Sequence, residues 1–179
     1  MNLTDLAVHH DPLEPYLAFH RRIERHLAGL VALAGRLDAG EMDAQAAAEA
    51  AALAKFFGEA LPRHHDEEER DLLPLLESRI VAGPERGRLR ELRDDLRADH
   101  RELDGAWKRI APSLETLAEG LARRLAMDLV QYYRAIHSVH LAAEEVALHR
   151  AVLRWRSREG LFGGAASARP RHGIVTPLP

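Results

Sequence analysis

The stretch Leu61-Pro62-Arg63-His64-His65-Asp66-Glu67-Glu68-Glu69-Arg70-Asp71-Leu72-Leu73-Pro74-Leu75 decides the fold. At helical spacing, Phe57, Leu61, His64, Glu68, Leu72 and Leu75 fall on one face. That face is apolar at both ends and polar in the middle. A histidine and a glutamate four residues apart point the same way from one helix. Buried without partners they cost several kcal/mol, so other parts of the chain must supply the partners.

The same interruption occurs three more times. Asp11-Pro12-Leu13-Glu14 reads as an N-cap, a proline at the first helical position and a capping-box glutamate. The helix it starts carries the heptad lines Leu13, His20, Leu27, Ala34 and Tyr16, Ile23, Leu30, Leu37, and should stop near Gly40. The second helix, which holds the quoted stretch, runs from about Asp43 to Arg79, with Pro62 expected to bend or divide it. A third, from Gly83-Pro84 to about Gly120, has the lines His100, Trp107, Leu114 and Leu89, Leu96, Leu103, Ile110, Leu117, with Pro112 as a second expected kink. A fourth, from about Leu121 to Trp155, passes from Tyr133 and His137 to His140 and Glu144, then Leu148 and Ala151.

Composition agrees with an all-α chain. Ala, Leu, Arg and Glu number 30, 28, 23 and 17 of 179 residues, and all four favour helices. Val, Ile and Thr number only 8, 5 and 3, too few for a sheet-based fold. Four long helices with short connections predict an up-down-up-down bundle over residues 12–156. Residues 1–11 read as an N-terminal arm. Residues 157–179, rich in Gly, Pro, Ala and Ser without periodicity, read as a flexible or partner-ordered tail. Twenty-five Lys and Arg against 28 Asp and Glu give no sign of a nucleic-acid or anionic-membrane partner. With no cysteine there is no disulfide, thiolate metal site or cysteine nucleophile. No signal peptide or membrane-length apolar run is visible, so a cytoplasmic location is expected.

Loop positions bring the interruptions to one level. His20 lies 20 residues before Gly40, and His64 lies 24 after it; His100 and His140 flank Gly120 by 20 each. At 1.5 Å per residue, all four lie roughly 30 Å from that end of the bundle. The chain also looks doubled: His20…His64-Xaa₃-Glu68 is echoed by His100…His140-Xaa₃-Glu144. Two metal half-sites would follow, His20/His64 and His100/His140, bridged by Glu68 and Glu144. Neutral imidazole and carboxylate suit Fe, Mn or Zn. His137, one turn before His140, and Asp104, one turn after His100, lie near enough to be further donors, although a place in the core or behind a ligand suits His137 better and an exposed place or one behind a ligand suits Asp104 better. Tyr133 reads as packing. Glu67, Glu69 and Glu145 read as solvated neighbours, and His9, His10, His26, His65, His149 and His172 as surface.

The spaced histidines and the run His64-His65-Asp66-Glu67-Glu68-Glu69-Arg70-Asp71-Leu72-Leu73-Pro74 resemble the hemerythrin-like (HHE cation-binding) family, over roughly residues 12–155. His140-Leu-Ala-Ala-Glu144-Glu145 is similar to the second copy of that signature. The resemblance implies a non-haem centre of two Fe ions with an oxo or hydroxo bridge. Its partner would be a small diatomic ligand or peroxide. Two functions fit: a di-iron protein that binds, senses or reacts with O₂, peroxide or nitric oxide, and an iron or zinc module with a storage, structural or partner-interaction role.

Overall fold

The computed structural model describes residues 13–79 and 84–163, and the side chains to Leu153 except that of Glu85. Four helices account for nearly all of it, and no strand occurs among the described residues. They are α1 (Glu14–Asp38), α2 (residues 44–79), α3 (Pro84–Ala118) and α4 (Met127–Gly163). α1, α2, α3 and α4 pack in a ring, and the last part of α2, Leu73–Arg79, also touches α4. None is long and apolar enough to cross a membrane.

Helix ends follow local chemistry. Gly40 and Gly120 take φ of +84° and +72°, where a side chain would be strained. At each, the glycine N–H donates to the carbonyl three residues back (Leu37, Leu117). The next N–H donates to the carbonyl five back (Arg36, Thr116), which closes a Schellman turn. Asp43 caps α2, its carboxylate accepting from the Ala46 N–H at 2.7 Å. The proposed Asp11-Pro12 cap lies outside the described residues, and Leu13 occupies the N-cap position of α1. Gly120→Ala is expected to cost about 1 kcal/mol in urea denaturation, from the left-handed backbone penalty. Gly105→Ala, in open space within α3, should gain up to about 1 kcal/mol from helix propensity.

Three expectations need correction. Pro62 does not divide α2: the helix runs on through two π-turns, Phe56–Ala60 and Glu68–Leu72. Each ends on a carbonyl five residues back, Leu61 N–H to Phe56 O and Leu73 N–H to Glu68 O. Each also opens the carbonyl that the ring of Pro62 or Pro74 would strike. The widened turns shift the register, so Leu76 is buried where Leu75 was expected. Next, α4 begins at Met127 because residues 121–126 are non-helical. Finally, α4 continues through 157–163, positions assigned above to the tail. Residues 1–11 and 164–179, with His9, His10 and His172, lie outside the described residues.

The apolar core is in two parts. One, around Leu30, Leu33, Phe57, Ile110, Leu114 and Val130, fills the Gly40/Gly120 end. The other, around Leu13, Leu72, Leu76, Leu96 and Leu148, fills the opposite end. Between them lies a buried polar layer.

Candidate metal centre

That layer consists of His20 from α1, His64 and Glu68 from α2, His100 from α3, and His137, His140 and Glu144 from α4, each at most 7% exposed. The structure brings together all six residues singled out as ligands. Glu68 Oε1 lies 3.4 Å from His20 Nε2 and 2.8 Å from His64 Nε2, while its Oε2 lies 3.5 Å from His100 Nε2. Glu144 Oε2 lies 3.5 Å from the Nε2 of both His20 and His140. Each carboxylate therefore faces nitrogens from both halves of the doubled chain.

Several of these approaches are not hydrogen bonds. His64 Nε2, His100 Nε2, His140 Nε2, Glu68 Oε2 and both carboxylate oxygens of Glu144 are buried with no hydrogen-bond partner. Native interiors rarely leave such groups unpaired. Donor atoms turned toward one another without protons between them are what a cation satisfies. The residues fit a metal.

Their outer nitrogens are held by residues read above as solvated. His100 Nδ1 bonds Glu69 Oε1 at 2.8 Å, and His20 Nδ1 bonds Glu145 Oε1 at 3.1 Å. The glutamate after each central carboxylate thus reaches across to the histidine of the other half. Within the second half, Asp99 holds His140 Nδ1 at 3.3 Å. These bonds fix the tautomer that leaves Nε2 free to ligate. The sequence signal was present in the paired Glu68-Glu69 and Glu144-Glu145, because adjacent residues flank one helix face. Replacing Glu69 or Glu145 with Ala is expected to weaken metal binding by about 10- to 100-fold, measured by competition with a chromogenic chelator.

The fifth-donor expectations change too. Asp104 is exposed and ion-paired with Lys108 at 2.6 Å, away from the layer. His137 is fully buried and its Nδ1–H donates to the Tyr133 carbonyl at 2.9 Å. It shares no close ligand group with the other residues. Two such groups occur among the described residues: His20, His64 and Glu68, and His65, His100 and His140. His65, read as surface, therefore belongs beside the second pair. Its ring stacks on that of His100 with centroids 3.9 Å apart. His26 is half-buried and stacks on Phe56, remote from the layer. His149 is exposed, as read.

Charge is unevenly shared. Burial opposes ionisation of Glu68, but the close imidazoles of His20 and His64 outweigh it and hold the carboxyl below its ordinary range. Burial, then the charge of Glu68, pushes Glu144 well above that range. Burial lowers His140, helped by His100, and takes His137 to about 4 and His65 to about 2. Burial would lower His20 as well, but Glu68 and Glu145 together raise it. The result is a pair of facing carboxylates shifted in opposite directions.

Comparison with known proteins places this geometry. The sequence model of the hemerythrin HHE cation-binding domain matches residues 11–160. A protein of Haemophilus influenzae described as uncharacterized is 24% identical over 139 residues, covering 78% of this chain and 77% of the relative. No solved structure matches significantly.

Proposed function

Because the chain belongs to the hemerythrin HHE cation-binding family, we propose that it carries a dinuclear iron centre that binds, senses or reacts with O₂, peroxide or nitric oxide. His20 and His64 would hold one iron and His100 and His140 the other, with Glu68 and Glu144 as the carboxylates the two would share. The supporting observation is the reach of Glu68, one oxygen toward His20 and His64 and the other toward His100. A pair of irons supplies two-electron redox chemistry and affinity for small oxidants.

This chain's residues do the rest. Glu69, Glu145 and Asp99 hold three imidazoles by Nδ1 and orient them. The two apolar clusters exclude bulk water from above and below the layer. Two imidazoles and shared carboxylates would supply fewer donors than an iron ion takes, so solvent or a small ligand would complete each set.

Metal analysis combined with absorption spectra tests the reading. Protein loaded with iron should hold close to two ions per chain and absorb in the near-UV and visible. A zinc form should lack those bands. The reduced protein should be oxidised on mixing with O₂, and the oxidised spectrum should persist under vacuum. Saturated protein with one ion per chain would sink the dinuclear reading, and return of the reduced spectrum under vacuum would indicate a carrier.

A further inference from the structure

We propose that His65 is a third nitrogen donor to the metal position framed by His100 and His140, and the donor that an incoming small ligand displaces. The proposal rests on the dinuclear reading and adds an asymmetry between its halves. Donor nitrogens of His65, His100 and His140 lie within 4.8 Å of one another, as compactly as the donors of His20, His64 and Glu68. His65 Nε2 is buried and has no hydrogen-bond partner. Its ring is parallel to that of His100, 6° apart in plane, and edge-on to His140 at 5.9 Å. Parallel rings cannot aim at one shared point, so His65 must tip off the stack to ligate. It is therefore the loosest of the three nitrogens.

The surroundings of the halves differ in the same sense. His64 is packed against aromatic rings, Phe19 at 4.1 Å and Tyr16 at 6.1 Å. On the other side a cavity of ≈ 470 Å³ between α2 and α3 reaches His65 and His100, walled by Phe57, Leu103, Trp107 and Tyr133. His65 lines that cavity and stacks on a proposed ligand, so it stands between an entering molecule and the second metal. Arg97, Arg101, Asp66, Glu69 and Asp104 share that wall, so the cleft is of mixed polarity and admits a small neutral or charged ligand.

Zinc titration of metal-free wild type, His65→Ala and His65→Gln, with a competing chelator, tests this. Wild type should take two ions. Both variants should keep the first step and lose affinity in the second by about 10- to 100-fold, a loss that even outer-shell changes can cause. Azide titration of the iron-loaded proteins, followed in the visible, should show tighter azide binding in His65→Ala because the position is vacant. His65→Gln keeps a similar volume and guards against a packing defect in the alanine variant. Two unchanged zinc steps in both variants, or unchanged azide affinity, would overturn the role of His65 while leaving the dinuclear reading intact. One zinc ion in wild type would overturn that reading itself.

Discussion

Glu68→Ala is expected to reduce bound metal from two ions per chain to one or none. Glu68 is fully buried and both its oxygens are engaged, Oε1 with His20 and His64 and Oε2 with His100. In the proposed centre, its loss would remove a donor from both positions at once and leave Glu144 as the one remaining central carboxylate. Removing one partner of a buried charged group costs about 3–5 kcal/mol. Through the factor of ten per 1.4 kcal/mol, that corresponds to a loss of affinity of about two to three and a half orders of magnitude. Metal analysis after gel filtration would show it, and the bridged-pair absorption should vanish. Glu68→Gln separates charge from shape: it fills the same space with one acceptor oxygen and should also fail to hold the pair. A Glu68→Ala protein that retains two ions and an unchanged spectrum would show that Glu68 does not bridge.

The helices and the polar layer were legible because both rest on periodicity. Leu13, His20, Leu27 and Ala34 recur every seven residues, and all four are buried in α1. The level of His20, His64, His100 and His140 followed from the rise per residue, which varies little between helices. What escaped was local. Pro62 signalled a bend or a division of α2, yet a π-turn precedes it, as another precedes Pro74, and the helix is continuous through both. The surface reading of His65 failed because α2 places it a little over a quarter-turn from His64, on a face that a two-residue pattern cannot distinguish from solvent. Only the α3 ring of His100 lying against it reveals the burial. Glu69 and Glu145 escaped for the same reason: their partners are 31 and 125 residues away in sequence. Helix ends at 121–126 and 157–163 lacked punctuation strong enough to place them.

Removing the metal is expected to lower the melting temperature by on the order of 10 °C. Without a cation the layer holds two carboxylates and at least five imidazoles almost wholly out of water. Burial and the charge of Glu68 push the Glu144 carboxyl well above its ordinary range. The folded state then binds a proton that the unfolded chain releases, so this group's contribution to stability declines as pH rises above the ordinary carboxylate range. A metal bound only to the folded state adds about 2.7 kcal/mol at a hundred times its Kd, or about 5 kcal/mol for two such sites. In a domain of this size each kcal/mol moves the midpoint by about 2–4 °C. Calorimetry before chelation, after it and after metal is restored measures the shift. Glu144→Gln should change sign between the two states. With metal it melts below wild type, because a bridge is lost. Without metal it melts at or above wild type, because the amide is neutral without taking up a proton and the side-chain volume is kept. An unchanged midpoint after verified metal removal would place the bound metal outside the cooperative core.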